Sequence, residues 1–326
     1  MMDLAYQDWM SALPEELWDI PLTDLAIPGS HDAMSYCLDI NSPLLRSESD
    51  YFRLLDGLFY CITRPLILKW ATTQNKTIEE QLSMGIRYFD LRVAHKPNDP
   101  SSDLYFTHVI YTHLTVLETL VSVLNWLNSH PKEIVILVCS HLEGMDDKCH
   151  ESFIFCLKRL FGSKLCPRKE PNLSLRSLWA SGHQVILSYD SQITARHPEL
   201  WPAIPYWWAN KSTAQDVISY LDWHKDLGRP EGFFIAGLNL TADRSYIAKN
   251  PKESLQMMTY KNWECLRKWV EQQIPGSDPK SFNIIAGDFV GSLPLCSVVI
   301  PLNHRLLQRS SGQMKKLFKF IKPDSN

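Results

Sequence analysis

The chain has 326 residues, 45% of them hydrophobic and 21% charged, with a formal net charge of −3. That length supports a large α/β core, and the near-neutral balance excludes a nucleic-acid partner held by bulk charge. The apolar runs are too short for a membrane span. Residues 1–4 lack the basic-then-apolar pattern of a signal peptide, so a cytoplasmic chain with reduced thiols is expected. The eight cysteines show no Cys-x-x-Cys spacing, which argues against a zinc site or redox pair. Asn-x-Ser/Thr sequons at Asn75, Asn172, Asn210 and Asn239 carry no weight in such a chain.

Residues 1–20 read as an N-terminal arm, with a helical stretch over 8–18 that offers Trp9, Leu13 and Trp18 to the main body. A first strand over 24–27 stops at Pro28-Gly29, and Ser30-His31-Asp32 follow at once. This pattern predicts a strand end that delivers polar groups into a loop. Consecutive residues point in different directions, so Ser30, His31 and Asp32 do not form a triad among themselves. Residues 41–70 form a long excursion with a helix over 51–59, either a functional loop or a cover.

Thr77-Ile78-Glu79-Glu80 is a capping box for a helix that Gly85 ends. Strand two, over 86–93, carries Asp90 and Arg92 two residues apart and therefore on one face. A third strand over 104–108 ends at His108. Thr115-Val116-Leu117-Glu118 caps a helix in which Val116, Leu117, Leu120, Val121, Leu124 and Leu127 recur at helical spacing before Pro131. Residues 134–139 are an apolar strand of the buried parallel type. Further strands are expected over 185–189, 206–208, 232–238 and 282–286, with helices over 152–161, 214–223 and 263–273.

This alternation predicts an α/β fold, a single and somewhat irregular (β/α)8 TIM-type barrel over residues 21–308. A basic tail over 309–326, with Lys315, Lys316, Lys319 and Lys322, would rest on an anionic membrane or lie solvated. No Gly-x-Gly-x-x-Gly follows strand one, which removes a dinucleotide site. In such a barrel the catalytic groups stand at the C-terminal strand ends. Those ends carry His31 and Asp32, Asp90 and Arg92, His108, and Asp288. Two histidines titrating near neutrality supply a base and an acid, and an arginine offsets phosphoryl charge. The set fits cleavage of a phosphodiester by an internal hydroxyl.

These residues carry a family resemblance. Ile27-Pro28-Gly29-Ser30-His31-Asp32, Gly85-Ile86-Arg87-Tyr88-Phe89-Asp90-Leu91-Arg92, Tyr105-Phe106-Thr107-His108 and Ile285-Ala286-Gly287-Asp288-Phe289 resemble the X region of phosphatidylinositol-specific phospholipase C. Leu68-Lys69-Trp70 and Pro205-Tyr206-Trp207-Trp208 extend the likeness to the short PI-PLC X domain-containing proteins, over nearly the whole chain. The resemblance implies a PLC-like phosphodiesterase barrel that acts on an inositol phospholipid at a membrane surface. His31 would take the inositol 2-hydroxyl proton, oriented by Asp288. His108, paired with Asp32, would protonate the diacylglycerol oxygen, and Arg92, held by Asp90, would bind the phosphoryl oxygens. A cyclic inositol phosphate would form first, and water would then open it.

The bacterial secreted enzymes of this type place basic residues on the next strand ends, whereas this chain has Ser140-His141 and Ser188-Tyr189 there. His141, Ser188, Trp207 and Trp208 are the candidate headgroup contacts. The large animal enzymes bind calcium through an acid-Leu-acid pattern, which here is Asp90-Leu91-Arg92. A guanidinium at the second acidic position repels a divalent cation, so no metal or cofactor is expected. Two other classes stay in view. One is a glycerophosphodiesterase-like enzyme, disfavoured because it needs a metal and the mouth reads as acid-poor. The other is a non-catalytic inositol-lipid-binding module.

Overall fold

The structure is a computed structural model that describes residues 6–307. Among these residues the strands are β1 (Ile27–Ser30), β2 (Tyr88–His95), β3 (Leu104–His108), β4 (Ile110–Thr115), β5 (Val135–Glu143), β6 (Val185–Tyr189), β7 (Tyr206–Trp207), β8 (Ile235–Gly237) and β9 (Ile284–Gly287). Seven run parallel in the order β6-β5-β2-β1-β9-β8-β7 and curl into a TIM-type barrel. No ladder joins β6 to β7, and a lone parallel bridge between Ser188 and Trp201 stands at that seam. The irregular α/β barrel is therefore present, with seven parallel strands rather than eight.

The first strand lies later than expected, because Pro28-Gly29 belongs to the strand and not to a turn. Pro28 has no N–H to donate, but the β1–β2 ladder starts only at Gly29↔Tyr88, and Pro28 O still accepts from Arg87 N at 3.0 Å. Gly29 is required by close approach: a Cβ there would stand 2.6 Å from Tyr88 Cδ1. The third expected strand is also corrected, since β3 is not part of the parallel barrel. It runs antiparallel to the end of β2 and returns through Val109, at a φ of +68°, as β4, which the sequence pattern did not announce.

Both capping boxes form, with reciprocal bonds between Thr77 and Glu80 and between Thr115 and Glu118. The arm packs into the main core through Trp9, Met10, Leu13 and Leu17. At the base of β2 and β5, buried Arg87 reaches buried Glu133 at 2.7 Å, and Trp9 Nε1 donates to Gly85 O at 2.9 Å. Residues 309–326, the basic tail, lie outside the described residues. No helix among the described residues is long and apolar enough to cross a membrane.

The excursion folds as a helical hairpin, Asp50–Leu58 and Tyr60–Ala71. It has a small apolar cluster of its own, in which Ile67 and Ala71 meet Leu38, Leu44 and Ile110. Inside the hairpin Arg64 and Asp56 are buried against each other at 2.5 Å, and Arg64 Nη1 donates to Ser42 O and Ile40 O.

Candidate active site

Strand register assembles the site. Ser30 of β1 pairs with Gly287 of β9, so the residues that follow, His31 and Asp288, emerge side by side. His31 Nδ1 donates to Asp288 Oδ1 at 2.8 Å. On the other flank, Tyr88, Asp90 and Arg92 alternate onto the inner face of β2, and all three line the cavity at the barrel mouth. Asp32 takes a left-handed φ of +42°, and its N–H donates to Asp90 Oδ2 at 3.2 Å. Arg92 Nε lies 2.7 Å from Asp32 Oδ1 and 3.5 Å from Asp90 Oδ2, while Arg92 Nη2 donates to His31 Nε2 at 3.0 Å. His108 arrives from the β3 hairpin. Its Nδ1 donates to Ala71 O at 2.6 Å, and its Nε2 stands 3.5 Å from Asp32 Oδ2. The two imidazole centroids are 6.4 Å apart. All six residues read from the strand ends therefore come together.

The hydrogen bonds fix the tautomers. A carbonyl accepts from His108 Nδ1 and a carboxylate from His31 Nδ1, so each ring turns Nε2 toward the shared space beside Asp32. Protonation leans in opposite directions at the two rings. Burial disfavours a charged His31, but Asp32 and Asp288 outweigh it and raise its pKa. At His108 burial dominates, Arg92 adds to it, and the pKa falls despite Asp32. Burial also works against an ionised Asp32, yet Arg92 and the two histidines hold it below the usual carboxylate range. Asp288 is pushed up by burial, which His31 offsets in part.

A second layer went unnoticed in the sequence. Thr73 Oγ1 shares its proton between His31 O and Asp32 O, each at 3.1 Å, and accepts from Ser35 Oγ at 2.6 Å. Gln74 Nε2 bridges His31 O and Gly287 O at 2.8 and 3.0 Å, tying the ends of β1 and β9. These residues follow the hairpin with no local pattern to mark them.

The cavity holds about 780 Å³. His141 and Trp208 border it, the latter bonded through Nε1 to Thr241 Oγ1 at 3.0 Å. Trp207 and Ser188 do not, which corrects their expected place. Trp207 points into the core against Phe234, Phe282 and His224, and Ser188 is buried, donating to Pro202 O at 2.8 Å. Tyr206 and Asn239 are the missed lining residues. The Tyr206 hydroxyl donates to Asn239 Oδ1 at 2.8 Å, and its ring centroid stands 6.1 Å from that of His31. Gly237 makes room for this ring, since a Cβ there would lie 2.4 Å from Tyr206 Cε1. Period-two alternation was the available signal: if Trp208 faces the mouth, so does Tyr206, and Trp207 faces away.

The mouth is also richer in acid than expected, with Glu48 and Asp190 lining it beside Asp90 and Asp288. His31, Asp32 and Asp90 present donor atoms within 4.8 Å of one another, a spacing compatible with a metal ion. Arg92 already contacts all three of these side chains. A cation placed among them would have to displace the guanidinium, so the residues fit a metal poorly.

Solved structures share this architecture. The phosphatidylinositol-specific phospholipase C of Listeria monocytogenes superposes with a TM-score of 0.63 at 18% identity, covering 91% of this chain and 98% of that one. A Staphylococcus aureus phosphatidylinositol-specific phospholipase C does so with a TM-score of 0.63 at 15% identity, covering 91% and 97%. At these identities the likeness establishes the barrel fold. No protein-family model matches the chain. Among curated proteins, human PI-PLC X domain-containing protein 1 is 47% identical over 304 residues, 93% of this chain and 94% of its own length. The Danio rerio protein of that name is 51% identical over 287 residues, 88% and 93% of the two lengths. PI-PLC X domain-containing protein 3 of Danio rerio is 36% identical over 309 residues, 93% and 95%. The chain belongs to the family of PI-PLC X domain-containing proteins.

Proposed function

We propose that the chain is a metal-independent phosphodiesterase that cleaves inositol phospholipids to diacylglycerol and a cyclic inositol phosphate. It would work as a cytosolic protein in transient contact with a membrane surface. One observation carries the reading: two imidazoles, each fixed through Nδ1, turn Nε2 toward a space shared by Asp32 and Arg92. In the first step His31 Nε2 takes the proton of the inositol 2-hydroxyl as that oxygen attacks phosphorus. The bond from phosphorus to the diacylglycerol oxygen breaks, and His108 Nε2 gives its proton to the leaving oxygen. Arg92 offsets the charge on the phosphoryl oxygens. His108, now neutral, then takes a proton from the water that attacks phosphorus. The bond from phosphorus to the inositol 2-oxygen breaks, and His31 returns its proton to that oxygen. Tyr206, Asn239 and His141 offer a ring face and polar groups to a hydroxyl-rich headgroup.

In the free site burial at His31 is outweighed by Asp32 and Asp288 and its pKa is raised, whereas burial lowers that of His108, the order opposite to the one the first step uses. An anionic diester seated on Arg92 cancels part of the field that opposes a charged His108, so binding favours the acid form where it is needed. The test is incubation of purified protein with labelled phosphatidylinositol and its phosphorylated forms. Diacylglycerol and cyclic inositol phosphate are the expected products, and their absence from every lipid overturns the reading. The His31, Asp32 and Asp90 donors favour one other reading, a metal-dependent glycerophosphodiesterase. Release of glycerol phosphate from a glycerophosphodiester, abolished by chelation, would select it.

A further inference from the structure

We infer that the helical hairpin of residues 50–71 docks the mouth of the cavity onto an anionic lipid surface. The inference locates the contact that the proposed lipid substrate requires, and in that respect it rests on that reading.

The hairpin buries one apolar face in its own small cluster and, unlike an ordinary amphipathic helix, turns a second apolar face outward. Tyr51, Leu54 and Leu58 recur at helical spacing on the first helix, Phe59 lies at the joint, and Ile62 and Leu66 recur on the second. These side chains are 40–69% exposed. Residues 57–63 carry no charged side chain. The nearest charges, Asp56 and Arg64, are buried against each other. These six large exposed apolar side chains within one hairpin mark a contact site.

Position selects the occupant. Phe52, Leu66 and Trp70 of the same hairpin line the cavity that holds His31, Arg92 and His108, so the exposed patch continues into the site. The neighbouring segment 243–253 is mixed in charge: Arg244 borders the cavity together with Glu48, Lys249 and Lys252 are exposed, and of its two acids Asp243 is exposed while Glu253 is paired with Lys261. That segment is joined to the hairpin by the edge-on contact of Trp70 with Tyr246, ring centroids 6.0 Å apart, and by Lys69 Nζ donating to Pro251 O at 2.9 Å. An uncharged apolar tip that continues into the cavity, with the exposed Lys249 and Lys252 on the adjoining segment, complements a bilayer with anionic headgroups, the tip inserting and the lysines pairing.

The test compares the full chain with a variant carrying Leu54→Ser, Leu58→Ser and Ile62→Ser, none of which lines the cavity. Sedimentation uses phosphatidylcholine vesicles that contain phosphatidylserine, so binding is read apart from cleavage. The variant is expected to bind about tenfold more weakly or worse. It should lose a similar factor in cleavage of vesicular phosphatidylinositol and keep the parent rate on a monomeric short-chain phosphatidylinositol. Equal sedimentation of the two proteins, including no binding by either, overturns the inference. So does unchanged vesicle binding with loss of self-association in light scattering, which would make the patch a contact between copies. If neither protein cleaves the short-chain lipid while sedimentation still differs, the docking surface stands and the proposed activity fails.

Discussion

At the floor of the cavity, His31, Asp32, Asp90, Arg92 and Asp288 stand on or just past adjacent strands, and each makes a contact with a residue from another strand. At the rim, the 50–71 hairpin turns large apolar side chains outward and holds itself with a separate small cluster. The two regions share one cavity but meet different demands. Acid–base chemistry needs atoms held to a fraction of an ångström, which buried, mutually bonded side chains on a sheet provide. A surface contact needs area and tolerates movement, which a hairpin outside the main core provides.

The largest effect that would test this contrast is at the floor. His31→Ala and His108→Ala are each expected to lower turnover by roughly a hundredfold to ten-thousandfold, with the melting temperature little changed. Parent-like turnover in either folded variant would break the assignment of the floor to chemistry.

The barrel and the hairpin each contain a buried ion pair, which allows a direct comparison. Removing Glu133 at the barrel base leaves Arg87 buried without its carboxylate, and Glu133→Ala should cost about 3–5 kcal/mol of global stability in denaturant melts. Asp56→Ala strands Arg64 in the same way, but inside the hairpin. It should raise protease cleavage within residues 50–71 and leave the barrel transition nearly in place. A global loss equal to that of Glu133→Ala would show that the hairpin is part of the barrel's cooperative unit.

A smaller effect distinguishes positioning from bulk charge. Asp288 raises the His31 pKa and holds its ring. Asp288→Asn should lower kcat/KM about tenfold to a hundredfold. It should also lower the His31 pKa, so the alkaline limb of the kcat/KM profile moves to lower pH. That sign follows from His31 being the group of raised pKa, whose proton is the later of the two to leave. A shift to higher pH, or none, would remove Asp288 from that role. The smallest expected effect is none: excess chelator, followed by calcium, should leave activity unchanged. Loss on chelation with recovery in calcium would mean that a cation displaces Arg92.

Much of the floor was legible in the sequence, because each catalytic candidate sits at the end of a strand with its own local signal. Pro28-Gly29 before His31, the two-residue spacing of Asp90 and Arg92, and Gly287 before Asp288 are local facts, and parallel register then brings them together. The helix caps at Thr77 and Thr115 were equally local, since both partners of a capping box lie within one turn. Tertiary pairing decided the rest. Whether 104–108 joins the barrel or folds back on β2 depends on which strand offers free edge groups, and that is not written in the segment. Which of Tyr206, Trp207 and Trp208 faces the cavity depends on the pleat phase set by pairing with β8. The apolar face of the 50–71 hairpin reads like any core-facing stripe, and only the location of the core shows that it faces outward.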